Sequence, residues 1–273
     1  MNACDLPLLN HPLDDPSAFT PEALVAAVRL ARALPAEPVP GVCVLDFDGD
    51  LTDWLVAQGR VRPCPAWACF HTAMFQFEVD GRTCGIIPRT IGGSYAVLIA
   101  EQLAVSGAKV ILGLTSAGRV DPDLPIPSLV VATSAIRDEG TSFHYLPAAG
   151  TVDAPVALAQ ALFAELQALG LPTAQGQVWT TDAPYRETRA QLAAYAAAGV
   201  SAVEMQAASL FAFAAAREAA VGIVVQVSNA VDYSGQPFDK GHAIDSHAVL
   251  EGMCRAGHRL LSANGKGGDV ETD

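Results

Sequence analysis

Glu204, Met205 and Gln206 stand in a row where a short β-prone run ends and an Ala-rich, helix-prone run begins at Ala207. Apolar residues precede Glu204, and small residues follow Met205. A carboxylate in such surroundings needs a partner, because an unpaired buried charge is costly or shifts its pKa. In open α/β sheets, ligands bind beyond the carboxyl ends of the strands. The triplet therefore reads as a strand-end ligand site: one charged acceptor, one adaptable apolar surface, one amide. The same residues also fit a core strand whose Glu meets an Arg. By itself the triplet leaves both readings open.

Polar clusters close other β-prone runs too. Asp46, Asp48 and Asp50, with Gly49 among them, follow the run 42–46. Their spacing partly matches a calcium loop, but the later Gly and Glu of an EF-hand are missing, so a solvated turn is expected. Arg89-Thr90-Ile91-Gly92-Gly93-Ser94 leads into a helix-prone stretch, and such a Gly-rich turn presents backbone N–H groups to an anion. Thr115-Ser116-Ala117-Gly118 ends another run, and 134–145 is the most polar and aromatic loop of the chain. Within that loop, Arg137, Asp138 and Glu139 fit a local ion-pair network. His144 reads as a packed loop histidine or as a substrate contact across a subunit interface. The segments 182–187 and 228–233 close the last runs. No spacing points to a metal site or to a G-x-S-x-G nucleophile elbow.

These clusters need a frame. Thr20 as N-cap and Pro21 at the first helical position predict a helix over 21–34. Strands are expected at 42–46, 109–114, 128–135, 177–181, 200–204 and 222–227. A hairpin is expected from 68–79 and 83–88, closed by Asp80-Gly81. Helices are expected at 95–105, 152–169, 187–198 and about 242–261. Strands and helices alternate without a break in composition, which predicts one α/β domain. It has a twisted, largely parallel or mixed central sheet flanked by helices in three layers. Residues 1–41 read as an N-terminal helix and linker, 42–264 as the domain, and 265–273 as a frayed tail.

Composition excludes several classes. With 273 residues and 51% hydrophobic content, the chain can bury a large core. A net charge of −13 argues against a nucleic-acid polymer or an anionic membrane as partner. The six cysteines include no C-x-x-C pair, which suits reduced thiols in a cytoplasmic protein. The first residues read as neither a signal nor a transit peptide.

Taken together, four strand-end segments resemble the nucleoside phosphorylase/nucleosidase family. Val203-Glu204-Met205-Gln206-Ala207-Ala208 resembles its V-E-M-E-[AS]-A signature. Thr90-Ile91-Gly92-Gly93 is similar to its phosphate-side glycine turn, and Thr115-Ser116-Ala117-Gly118 to its G-[ST]-[AT]-G segment. Thr181-Asp182-Ala183-Pro184-Tyr185 resembles the segment that carries a base-stacking aromatic. The loop 135–145 looks like the S-V-R-x-D-G-[AT]-S-x-H loop of uridine phosphorylases.

The resemblance implies cleavage of a nucleoside's N-glycosidic bond. Phosphate or water attacks C1′ through an oxocarbenium-like transition state. It implies no cofactor, with inorganic phosphate as cosubstrate, and a homodimer or homohexamer. Trp67 to Phe77 would serve as an apolar contact surface. It places Met205 against the ribose, Glu204 beside it, and Gln206 where the family has a Glu that accepts from the ribose hydroxyls. Pro184, Tyr185, Thr115, Ser116, Arg137 and His144 become substrate-binding candidates. Asn229 would hydrogen-bond the leaving base, and Asp232 would supply a proton. Arg89, Gly92, Gly93 and Ser116 are the phosphate candidates. Two family arginines are replaced, one within 48–53 by an Asp and one by Gly113. That departure keeps two alternatives in view: a hydrolytic nucleosidase, and a non-catalytic nucleoside or nucleobase binder.

Overall fold

The computed structural model describes residues 6–230 and 244–265. Its elements run in chain order. They are α1 (Pro21–Arg32), β1 (Val42–Asp46), α2 (Asp50–Ala57), β2 (Arg62–Pro63), β3 (Phe75–Val79), β4 (Arg82–Pro88), α3 (Gly93–Val105), β5 (Val110–Arg119) and β6 (Ser128–Asp138). Then come β7 (Thr151–Asp153), α4 (Val156–Gln167), β8 (Thr173–Thr181), α5 (Arg189–Ala197), β9 (Val200–Glu204), α6 (Ala207–Arg217), β10 (Ala220–Ala230) and α7 (Ser246–Gly265). This is a single α/β fold with a mixed sheet.

β1 shows why the layers form. All five of its residues are buried, so it reads as a continuous apolar run rather than an alternating one. Successive side chains still point to opposite faces. Val42 and Val44 pack with Leu55, Leu162 and Met253, from α2, α4 and α7. Cys43 and Leu45 pack with Ile99, Leu103 and Phe211, from α3 and α6. Each fully buried side chain of this size contributes about 1.5–3 kcal/mol relative to exposure. The thiols at 43, 64, 69, 84 and 254 are free and buried. No helix among the described residues is long and apolar enough to cross a membrane.

The sheet order is β10-β6-β8-β9-β5-β1-β4-β3-β2, and β10 also pairs with β5. That last pairing closes five strands into a ring. β5 meets β9 through only two residue pairs, Gly118↔Val203 and Arg119↔Ala202, and these run antiparallel. β1 runs parallel to β4 and to β5, and β8 runs parallel to β6 and to β9. Two parallel sets, β4-β1-β5-β10 and β6-β8-β9, thus run antiparallel to each other where β5 meets β9 and β10 meets β6.

Several boundaries differ from expectation. Residues 151–153 form a strand on β6, not the start of a helix, because Thr151 and Val152 pair with Ile136 and Ala135. Pro155, which fixes its own φ and lacks an N–H, stands at the N-cap of α4. Residues 68–74 are not strand. Trp67, Ala68, Cys69, Met74 and Phe77 are buried in the chain's own core, and only Phe70 of the aromatics is substantially exposed, at 49%. The run is therefore not the apolar contact surface expected of it. The expected caps of α1 are present: the Thr20 hydroxyl accepts from the Ala23 N–H at 3.3 Å, with Pro21 next. The expected start of the last helix and the tail beyond 265 fall wholly or partly outside the described residues.

Candidate active site

The loop after β1 divides its acids between two tasks. Asp46 is buried, and its carboxylate accepts from the Gly49 N–H at 3.1 Å, the Thr52 N–H at 2.8 Å and the Thr52 hydroxyl at 2.7 Å. Burial raises its pKa above the usual carboxylate range, partly offset by those bonds. Gly49 turns the chain at φ 84°, and a Cβ there would lie 2.6 Å from Arg89 Cγ. Asp48 points elsewhere, and its Oδ2 accepts from the Ser116 N–H at 2.8 Å. Two of the three acids are not part of a solvated turn, since one braces α2 and another reaches across to β5, while Asp50 is exposed.

A cavity of about 430 Å³ opens beside Asp48. Thr115 to Gly118 of β5 wall one side, and Val203 to Gln206 wall another. Ile91, Pro184, Tyr185, Glu187 and Asn229 complete it. Tyr185 is fully exposed at its mouth. No Lys, Arg or His lines it among the described residues, whereas Asp48, Glu187 and Glu204 do.

Glu204 is 4% exposed. Its Oε1 accepts from the Thr180 hydroxyl, and its Oε2 accepts from the N–H groups of Gln206 at 2.6 Å and Ala207 at 2.9 Å. The Ala208 N–H in turn donates to Thr180 Oγ1 at 2.9 Å. The carboxylate therefore satisfies the N–H groups that begin α6, where negative charge suits the helix dipole. Burial pushes its pKa up to about 7 against these bonds. It meets no arginine. Gln206 is buried on the cavity wall, and its Oε1 accepts from the Met205 N–H at 3.2 Å. The Asn229 NH2 donates to Ser228 Oγ at 2.9 Å.

The structure thus brings Thr115, Ser116, Pro184, Tyr185, Glu204, Met205, Gln206 and Asn229 together. It keeps other candidates apart. Arg89 pairs with Asp53 instead of lining the cavity. Gly93 is wedged so tightly against α6 that a Cβ would sit 2.1 Å from Ser209 Oγ. Gly92 precedes it as the N-cap of α3 and does not line the cavity. Arg137 is buried and donates to Ser142 Oγ at 2.8 Å and to the carbonyls of Pro147 and Leu146 at 2.8 and 3.2 Å. With Phe143 under its guanidinium, it organises its own loop. His144 stacks on His11 at 3.8 Å and borders a different cavity, between α1 and α3. Asp232 lies outside the described residues. Gly113 sits in packed core: a Cβ there would lie 2.5 Å from Ile223 Cδ1 and 2.8 Å from Phe47. No arginine fits at that position.

Sequence reasoning missed Asp48, Ile91 and Glu187 as cavity residues. Asp48 carried a signal in its place after a strand, but three similar acids stood there. Ile91 and Glu187 lie in turns with no periodicity to orient them.

A cavity at the carboxyl ends of the strands of an α/β sheet, with polar groups converging from several strands, defines a strand-end small-molecule site. The chain belongs to the phosphorylase superfamily, which matches residues 52–261. Uridine phosphorylase of Salmonella typhimurium is 25% identical over 201 residues, covering 67% of this chain and 78% of the relative. Guanosine phosphorylase of Halorubrum lacusprofundi is 29% identical over 152 residues, covering 54% of this chain and 61% of the relative. The fold is shared with purine nucleoside phosphorylase of Toxoplasma gondii in complex with immucillin-H, at a TM-score of 0.72 and 21% identity. That match covers 83% of this chain and 94% of the other.

Proposed function

We propose that the chain is a pentosyltransferase that cleaves the N-glycosidic bond of a nucleoside, with phosphate attacking C1′ to give a nucleobase and a pentose 1-phosphate. The observation that carries this reading is the strand-end cavity of a phosphorylase-superfamily chain, with Met205, Ser116, Tyr185 and Asn229 on its walls. In this reading Met205 lies under the sugar, and Pro184 with Tyr185 covers the base. Asn229 hydrogen-bonds the leaving base, and Thr115 and Ser116 meet the phosphate. Glu204 acts through the turn that holds Met205 and Gln206, because both of its oxygens are occupied. No cofactor is required.

One observation favours a second reading, with water as the attacking group. The Ser116 N–H, on the side where phosphate would lie, is already bonded to the Asp48 carboxylate. A carboxylate there repels a dianion and suits a water instead. Product analysis with a nucleoside panel, with and without phosphate, separates the two.

Gln206 marks altered sugar recognition. Its amide is neutral and its Oε1 already accepts from the Met205 N–H, so it lacks the charged acceptor that suits sugar hydroxyls and an oxocarbenium. Hydrogen bonds to charged groups are worth about 1 kcal/mol more than neutral ones, a roughly fivefold to tenfold effect. Gln206→Glu is therefore expected to raise kcat/KM for ribonucleosides fivefold to tenfold (approximate, from the same bond energies) and less for 2′-deoxynucleosides. A folded variant without that preference would show that residue 206 does not read the sugar.

We also propose that the protein works in the cytoplasm in nucleoside salvage and self-associates as a dimer or hexamer. Buried free thiols suit a reducing compartment. Sedimentation velocity at micromolar concentration is expected to give an assembly, and a monomer would contradict it.

A further inference from the structure

Glu187 stands between the 3-10 turn Pro184–Arg186 and Thr188, whose side chain forms a capping box with Gln191 at the start of α5. Its backbone is therefore held on both sides. Its side chain is half-buried and borders two spaces: the large cavity, with Tyr185 and Asn229, and a smaller one of about 210 Å³. Among the described residues it makes no side-chain hydrogen bond and no ion pair. Glu204 differs, since both of its oxygens hold the start of α6. Glu187 thus brings a carboxyl with no hydrogen bond or ion pair among the described residues to the wall that also holds Tyr185.

We propose that Glu187 is the general acid that protonates the departing nucleobase, an inference that rests on the glycosidic-cleavage reading above. As the C1′–N bond breaks, its electron pair goes to the base. The carboxyl proton of Glu187 passes to an acceptor atom of that base, and an oxygen of phosphate forms the new bond to C1′. The Glu187 carboxylate is then reprotonated from solvent. The substrates this fits are nucleosides whose heterocycle leaves poorly as an anion. Asn229, an amide, orients the base but has no proton of suitable acidity to give.

The surroundings support a protonated carboxyl. Burial pushes Glu187 up to about 7, near the value at which a general acid works best in neutral solution. Asp138, Asp182 and Arg186 border the smaller space, and Asp48 and Glu204 face the larger one. An acid acts only while protonated, so kcat/KM should hold at low pH and fall as pH rises through about 7. Glu204 is also pushed up to about 7, so the wild-type profile alone does not assign the group.

The test compares wild type with Glu187→Gln on a nucleoside and on p-nitrophenyl riboside, whose phenolate leaves without a proton, from about pH 5 to 9. The variant is expected to lose roughly a hundredfold or more on the nucleoside, to lose the fall at high pH, and to lose far less on the nitrophenyl substrate. Equal losses on both substrates, or a high-pH fall that persists in the variant, would overturn the proposal. If wild type cleaves no nucleoside at all, the underlying reading fails and this proposal with it.

Discussion

Glu204→Ala is expected to lose at least about a hundredfold in kcat/KM, together with a clear drop in Tm. The carboxylate accepts from Gln206, Ala207 and Thr180 in a buried setting. Removing it leaves two N–H groups and a hydroxyl without their acceptor. Each such orphaned group costs about 1–3 kcal/mol. A total near 3 kcal/mol corresponds to a Tm lower by roughly 6–12 °C for a chain of this size. The catalytic loss has a separate cause. Met205 and Gln206 follow directly on the same turn, and a shift of about 1 Å at reacting groups costs about a hundredfold. Glu204→Gln keeps one oxygen for the two backbone N–H groups and turns its NH2 toward Thr180 Oγ1, so it should recover most of the Tm. Thermal unfolding and steady-state kinetics on both variants check this. Full activity in Glu204→Ala would mean that the turn is held by something else.

Asp48→Asn is expected to lower KM for phosphate by about tenfold or more, which is about 1.4 kcal/mol. The Asp48 carboxylate holds the Ser116 N–H at 2.8 Å, and no Lys, Arg or His among the described residues lines the cavity to offset its charge. Repulsion between a carboxylate and a phosphate dianion a few ångströms away exceeds that amount even at an effective dielectric of about 20. Asparagine keeps an acceptor for the Ser116 N–H and removes the charge, so the wall should hold its shape. Initial rates against phosphate concentration read the effect. If water is the attacking group, the same variant loses the carboxylate beside that water, and activity falls with no dependence on phosphate. An unchanged KM for phosphate would place Asp48 outside the anion's reach.

Much of this is legible in the sequence. The convergence of Ser116, Tyr185, Met205 and Asn229 was suggested by polar clusters closing successive β-prone runs, since ligands of α/β sheets bind beyond strand ends. The signature around Glu204 was legible too, but its bonding was not. Nothing in the sequence says that Thr180, 24 positions earlier, will supply the hydroxyl it binds. The acids after β1 were ambiguous for a related reason. Asp46 and Asp48 look alike in sequence, yet one bonds Thr52 and the other Ser116. Ring closure depends on β10 pairing with both β5 and β6, a long-range choice that local periodicity does not encode. The aromatic residues from Trp67 onward read as a surface because apolar content is visible in sequence and its packing partner is not. Pro155 is the opposite case: it marked where α4 could begin, ahead of the apolar spacing that suggested an earlier start.

The most direct test of phosphorolysis in this cavity is to follow the sugar product. Wild type is incubated with a panel of purine and pyrimidine nucleosides, with and without inorganic phosphate. Nucleobase, pentose 1-phosphate and free pentose are then quantified. The account predicts nucleobase and pentose 1-phosphate in equal amounts, at a rate that rises with phosphate and is lost in Glu204→Ala. Free pentose formed at a rate independent of phosphate, or binding without any cleavage, would contradict it.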